Sequence, residues 1–531
     1  MIDNGVIMFA NYRLFISRPR RRHIWLPTIV AALLTLVACG GSPATSNPAA
    51  GDRTLTIGLN AGPTTLDPAK DGTNNYLIVR PLTNAALIHM NPDGSFSPGL
   101  ATQWRYLGTG NTDFELTLRQ DARFSDGSPV NAAAVKTWLD YFAKANGPNL
   151  SFMGTIRSVD TVGDWTVQIH LASPNPIIPW TLSDQNNWGA LSSPAAVADP
   201  GTLGSRTVGA GPYMLDPTDT VAGDHYTYVP NPYYHDKSAV HFNKIIAKII
   251  PTPSSLVQAI NSGQVDVAVG DPSTARAASP RVVDIVHAPT AQWLLALDNG
   301  GVLAKPLADP RVRQALNYAI DRPAIVKAIV GEYGSPTAEI GSSDGYDPAY
   351  SDHYPYDPAK AKALLAEAGY PQGFSATILV QGAAGNLGRP LVQATVKYFN
   401  DIGVQLTLDT AGTQAEWTQK LQANTTYPIL HAGLVPTRSM WLQYGLYLKA
   451  KGIYNKLGTW SDPTVDQLWN TGQVAADPGP SWQQISRRAT DQAYFVPILF
   501  ADSIFYVAKH IKGVTPTAHR QVPIATEWTA Q

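Results

Sequence analysis

The chain has 531 residues, room for about three or four domain-sized units, and its 44% apolar and 15% charged composition excludes a disordered, highly charged polymer. With 39 Lys+Arg against 40 Asp+Glu, the net charge of −1 leaves no global basic field to attract nucleic acid. A single cysteine, Cys39, excludes an internal disulfide framework and any multi-cysteine metal site.

The N-terminus has the order of an export signal. Arg18-Pro-Arg-Arg-Arg22 is a positive segment, and Ile24 to Val37 is apolar but shorter than the roughly 20 residues of a spanning helix. Leu36-Val-Ala-Cys39 follows and resembles the bacterial lipobox, in which the cysteine thiol takes a diacylglyceryl group and becomes the first mature residue. Residues 1–38 are therefore read as a lipoprotein signal peptide with an extended start, and 39–51, rich in Gly, Ser, Pro and Ala, as a flexible tether. Met8 is a second candidate start, and Arg21-Arg22 leaves both the general and the twin-arginine export routes open. The implied location is the outer face of a bacterial membrane, with lipidated Cys39 as anchor.

The body opens on a strand, Thr54 to Leu59. Further short β-branched or alternating runs follow at Phe114 to Leu118, Trp165 to Leu171, Lys244 to Ile250 and Val265 to Val269. The second half alternates helix and strand. Asp309-Pro310 starts a helix with Val312, Ala315, Leu316, Ala319 and Ile320 on one face. Asp321 restarts a helix that ends at Gly331, and Asp357-Pro358 caps another that stops at Gly369. Ser375 to Val380, Leu391 to Ile402 and Val404 to Asp409 form a strand–helix–strand unit, which implies a partly parallel sheet. No fixed-period repeat occurs.

Six segments occur in a telling order: Thr64-Thr-Leu-Asp-Pro68; Glu115 to Gly127, ending Phe124-Ser-Asp-Gly127; Val208-Gly-Ala-Gly-Pro-Tyr213; Asn231-Pro-Tyr-Tyr234; Asp309 to Arg322, reading Asp-Pro-Arg-Val-Arg-Gln-Ala-Leu-Asn-Tyr-Ala-Ile-Asp-Arg; and Tyr356 to Tyr370. Together, from about Thr54 to about Lys509, they resemble the family 5 extracellular solute-binding proteins, the oligopeptide, dipeptide and nickel receptors of ATP-binding-cassette importers. The resemblance implies an α/β, two-lobed periplasmic-binding-protein-like fold (type II, cluster C-like), with an extra subdomain inserted in lobe one and two hinge crossovers. Its expected parts are lobe I at 52–80 and 207–285, the inserted subdomain at 81–206, lobe II at 286–502, and a C-terminal return to lobe I at 503–531. It also implies a monomer without cofactor that closes on a small-molecule or peptide ligand and then docks on the importer's permease subunits.

One departure bears on the ligand. Peptide receptors of this family carry a Trp-x-Ala-Asp-Tyr-like segment whose aspartate pairs with the ligand's α-ammonium. Here no acidic residue occurs from Ala432 to Lys451, and Arg438 stands in that segment instead. A guanidinium suits a carboxylate or phosphate. Oligopeptide remains the expected ligand class, with a sugar-like solute, a metal complex, haem or a lipid-like solute as the alternative. The expected ligand-binding residues are Arg438, Trp441, Tyr444, Trp293, Trp188, Asn187 and Trp417, since aromatic faces stack on sugars and peptide planes at low entropy cost.

Enzyme readings are weaker. Gly341-Ser-Ser-Asp-Gly345 matches the nucleophile-elbow pattern with Ser343 at its centre, but the flanks read as loop instead of strand and helix. His225, His235 and His241 match no metal-ligand spacing. No phosphate-binding Gly-rich motif occurs, so ATP hydrolysis is assigned to a partner.

Overall fold

The computed structural model describes residues 53–531 except 73, 342–343, 383–386, 424–425, 435–438, 453 and 456–459. Cys39, Ser343 and Arg438 lie outside the described residues, as do the signal segment and tether.

Local chemistry sets the helices. Asn131 accepts a hydrogen bond from the Ala134 amide at 2.9 Å and starts the helix Ala132–Lys144. Val135, Trp138, Leu139 and Phe142 recur at three- and four-residue intervals and are all buried on one face. That face covers an antiparallel four-stranded sheet, Ala101–Tyr106, Asp113–Leu118, Thr166–Leu171 and Ile156–Val162 in spatial order. Its alternate residues Phe114, Leu116, Leu118, Val167, Ile169 and Leu171 complete the apolar core of this subdomain.

The rest of the body is built on one mixed sheet of eleven strands. One wing holds Tyr213–Leu215, His225–Pro230, Lys244–Ile249, Thr54–Leu59 and Val267–Val269. The other holds Ile429–Leu434, Ser375–Gln381 and Gln405–Ala411, which are mutually parallel around Ser375–Gln381. Two long antiparallel strands, Val283–Leu297 and Phe495–Ala508, join the wings, and the short strand Gly334–Pro336 pairs with the latter as the eleventh. The register of the long pair shifts between Pro289 and Ala291 and again between Trp293 and Leu294. The first of these falls just before the stretch paired with Ile429–Leu434, and the second falls within it. Bulges bend a strand and increase its local twist.

The helix starts at Asp309, Asp321 and Asp357 are as the sequence predicts: each aspartate caps a helix with proline in its first turn. The most specific sequence segment, Asp309 to Arg322, has a structural role. Arg313 is buried and donates to the carbonyls of Leu307, Ala308, Gln492 and Ala493. Arg322 is buried too and donates to Pro497 O at 2.8 Å, Asn317 O at 3.0 Å, Tyr354 O at 3.1 Å and Asn317 Oδ1 at 2.7 Å. Burial lowers the Arg322 guanidinium to about 10, still charged at neutral pH. Arg322 therefore ties the second-lobe helices to the crossover strand Phe495–Ala508, and Arg313 ties them to the turn just before it.

In the first lobe, Arg80 and Asp71 form a buried ion pair at 2.5 Å, and Arg80 also donates to Leu66 O at 3.1 Å. Removing one partner strands the other charge away from water. Arg80→Ala is expected to lower unfolding free energy in urea by about 3–5 kcal/mol. A loss below about 1 kcal/mol would mean that Asp71 is neutralised or solvated in some other way.

Candidate functional site

A cavity of about 290 Å³ lies between the subdomain and the second lobe. The subdomain side supplies Met90, Asp93 and Phe96 from the hairpin 88–98, and Pro176, Ile177, Pro179 and Trp180 from the segment after the four-stranded sheet. The second lobe supplies Asp344, Ser439 and Leu442, and the C-terminal tail supplies His519. The wall is thus apolar and aromatic, with carboxylates at Asp93 and Asp344 and no Lys or Arg among the described lining residues.

Each wall is fixed from behind. Thr517 Oγ1 donates to Pro92 O at 2.5 Å, and Arg520, fully buried, donates to Met90 O at 3.3 Å while its guanidinium is paired with Glu527. The tail so clamps the hairpin that carries Asp93 and Phe96. Tyr106 donates to Asn175 O at 2.8 Å and accepts from the Ile178 amide at 3.3 Å, which fixes the 176–180 segment.

On the second lobe, Gln292 of the crossover strand donates to Glu339 O at 2.5 Å and accepts from the Gly341 amide at 3.1 Å. Gln443 donates to Gly341 O at 2.7 Å, and Asp344 Oδ1 accepts from the Met440 amide at 2.9 Å. Ser439 caps the next short helix through the Trp441 amide. Gly341 and Asp344 are therefore bonded to the segment 439–443, and Gly341 also to the crossover strand.

Next to Gly341 in this segment lies Glu339, fully buried. Its carboxylate accepts from Ser486 Oγ at 2.5 Å and from the Asp347 amide at 3.0 Å. Burial nevertheless pushes its pKa up to about 7. Asp347, beside it, is held below the usual carboxylate range by Arg487, whose Nε lies at 2.8 Å.

The expected aromatic residues divide. Trp441 is half-buried one residue before Leu442 of the cavity wall, and its carbonyl faces Trp469 Nε1 at 3.4 Å. Trp293 lies on the crossover strand, stacked on His431 with ring centroids 5.2 Å apart. A Cβ on Gly433 would lie 2.6 Å from the Trp293 ring, so only glycine fits beneath it. His431, fully buried, is pushed down to about 3 and is neutral. The other expected residues sit in packed or hydrogen-bonded positions. Trp188 is fully buried, stacked on Phe142 at 4.1 Å, and its indole donates to Asn149 O at 2.8 Å, so it belongs to the subdomain core. Asn187 donates to Asp71 O at 2.9 Å and ties the subdomain to the first lobe. Trp417 packs in the second-lobe core with Leu421 and Leu430. Tyr444 is buried, stacked on Trp469 at 4.6 Å, and donates to Asp466 at 2.9 Å.

Asp93, Phe96, Trp180, Asp344 and His519 line the cavity but are not among the expected ligand-binding residues. Asp93 and Asp344 sit in Asp-Gly turns, a signal that marks loops and not ligands. The described residues of 337–347 are neither helix nor strand, so the flanks of Ser343 lack the strand and helix of a nucleophile elbow. No helix among the described residues is long and apolar enough to cross a membrane.

The profile of the Bacterial extracellular solute-binding proteins, family 5 Middle, matches residues 95–451. The chain belongs to this family. It is 31% identical over 395 residues to the glutathione-binding protein GsiB of Salmonella typhimurium, covering 72% of each chain. In fold it is similar to HbpA2 of Haemophilus parasuis, with a TM-score of 0.76, 22% identity and coverage of 90% of this chain and 100% of that one. The protein AgaA of A. tumefaciens R10, solved with agropinic acid, gives a TM-score of 0.73 at 24% identity, over 90% of this chain and 99% of that one. The two-lobed α/β architecture and the solute-binding role are those of the family.

A pH dependence follows from Glu339. A carboxyl raised in the folded state binds its proton more tightly there than in the unfolded chain, so its contribution to stability is full below the unfolded value, near 4.3, and is lost as pH rises toward 7. Glu339→Gln should therefore gain on the wild type between pH 5 and 8, by up to about 3 kcal/mol. Parallel denaturation curves at the two pH values check this, and a difference that does not change with pH counts against it.

Proposed function

We propose that this protein captures a short peptide with a free amine in the interlobe cavity and delivers it to an ATP-binding-cassette importer at the outer face of a bacterial membrane. The observation that carries this reading is the pair of carboxylates, Asp93 and Asp344, set in an apolar and aromatic wall shared by both lobes. An ammonium taken from water needs an opposite charge, and aromatic surface suits the peptide planes and side chains beside it. The carboxylate that the sequence lacks between Ala432 and Lys451 is supplied from a different loop. Arg438, adjacent in sequence to cavity-lining Ser439, is assigned to the ligand's carboxylate end. A glutathione-binding relative at 31% identity fits a ligand of this size and chemistry.

Native mass spectrometry of the protein purified gently from its host should show a set of bound peptide masses. A single non-peptide mass would overturn the peptide assignment and identify the solute class. For a bound peptide, Asp344→Asn and Arg438→Ala are each expected to weaken binding about tenfold, the loss of one charge-assisted hydrogen bond. Amine-blocked peptide should be insensitive to Asp344→Asn. Equal sensitivity of blocked and free peptides would remove Asp344 from the amine site.

The membrane anchor is assigned to a diacylglyceryl group on Cys39. Cys39→Ala should move the protein from the detergent-extracted membrane fraction to the soluble fraction. Unchanged fractionation would exclude the lipid anchor.

A further inference from the structure

We infer that Asn111 is a latch between the inserted subdomain and the second lobe, and that it sets how firmly ligand is held without touching ligand. The inference rests on the reading of the interlobe cavity as the solute site.

Asn111 stands in the turn that joins strands Ala101–Tyr106 and Asp113–Leu118. Its φ of 54° lies in the left-handed region, where asparagine is tolerated better than most side chains. The turn projects its amide across to the second lobe. Asn111 Nδ2 donates to Gln473 O at 2.9 Å and to Ala475 O at 3.2 Å, across more than 360 residues of sequence. Gln473 is the residue that ends the helix Pro463–Gly472, and Ala475 lies two residues beyond it. Carbonyls at and just beyond a helix end have no partner within the helix, so a donor from outside is favoured there. With 9% of its surface exposed, Asn111 makes these bonds shielded from water.

The same residue is wired to the cavity wall. Asn111 O accepts from the Asn175 amide at 2.9 Å, and Asn175 donates through its side chain to Phe152 O at 3.0 Å and Met153 O at 2.9 Å. Pro176, Ile177, Pro179 and Trp180, which follow Asn175 directly, line the cavity. The turn that reaches the second lobe and the wall that meets the ligand thus move as one hydrogen-bonded piece. Closing the cavity and making the latch are then one motion, and the latch bonds add to the closed state whether or not ligand is present. Apparent affinity scales with the closed fraction.

Two substitutions separate the latch from the turn. Asn111→Gly keeps the left-handed turn and removes the amide. Asn111→Asp keeps the side-chain size and sets a carboxylate against two carbonyl oxygens. Small-angle X-ray scattering of the ligand-free protein should show a larger radius of gyration for both, the aspartate at least as large as the glycine, on a value of about 23 Å for the body of the protein. Thermal midpoints should be unchanged. Release of a bound tripeptide should be about tenfold faster in both, with little change in association rate. Scattering curves identical to wild type in both variants would overturn the latch. A wild type that binds no tripeptide and carries no peptide would sink the peptide assignment instead, and the ligand-free scattering would still decide the latch.

Discussion

The antiparallel ladder between Val283–Leu297 and Phe495–Ala508 is the constraint on which the molecule depends. Val283–Leu297 pairs with one wing of the sheet and Phe495–Ala508 with the other, and successive residues serve different cores. Leu294 and Ala296 face the core that holds Trp417 and Trp482, whereas Trp293, Leu295 and Leu297 face the core that holds Leu316 and Phe399. Further along the partner strand, Phe505 and Val507 enter the first-lobe core. A slip of one residue would turn every one of these side chains to the wrong layer, so the register is strongly fixed. The shifts at Pro289/Ala291 and Trp293/Leu294 concentrate bending in a few residues while the ladder on either side stays whole.

Buried guanidinium groups make each lobe rigid enough for that joint to matter. Arg313 and Arg322 satisfy loop and strand carbonyls that would otherwise be buried without donors, and Arg80 does the same for Leu66 O beside Asp71. Such groups are fixed in place, since moving them would leave several acceptors unpaired at once. This gives a physical reason for the density of charged residues in the Asp309 to Arg322 segment, which an active-site reading would misassign. The consequence for function is that motion is directed into the ladder and away from the lobes.

Much of the fold was legible because its signals are local. Asp309, Asp321 and Asp357 each precede a helix with a proline in its first turn, and the cap bond is made within the next three residues. The crossover strands were not legible by pattern. Phe495 to Ala508 is buried along nearly its whole length, so alternation is lost. The site was less legible still. Trp180 and Trp188 lie eight residues apart in one Pro- and Asn-rich stretch, yet Trp180 lines the cavity while Trp188 stacks on Phe142 inside the subdomain. Nothing in the stretch separates them, because the choice is made by the helix Ala132–Lys144, which is distant in sequence. Asp344 was likewise read only as part of a hydrolase pattern. Its place at the cavity depends on the distant Met440 amide, which its carboxylate accepts from.

The energetics of closure explain why the walls are built this way. A binding protein that handed its solute on would fail if its closed state were very stable, since release needs the lobes to part. Its closed state must therefore be held by a few weak terms of about 1 kcal/mol each, not by a continuous apolar seam. The wall residues are accordingly bonded to their own lobe: Asp344 to the Met440 amide, the Asp93 hairpin to the tail, and Asn175 to Phe152 and Met153. What crosses between subdomain and second lobe at Asn111 is a pair of amide–carbonyl bonds at one helix end. Ligand contacts of similar size can then tip the balance in either direction, which is the condition for capture and delivery by the same cleft.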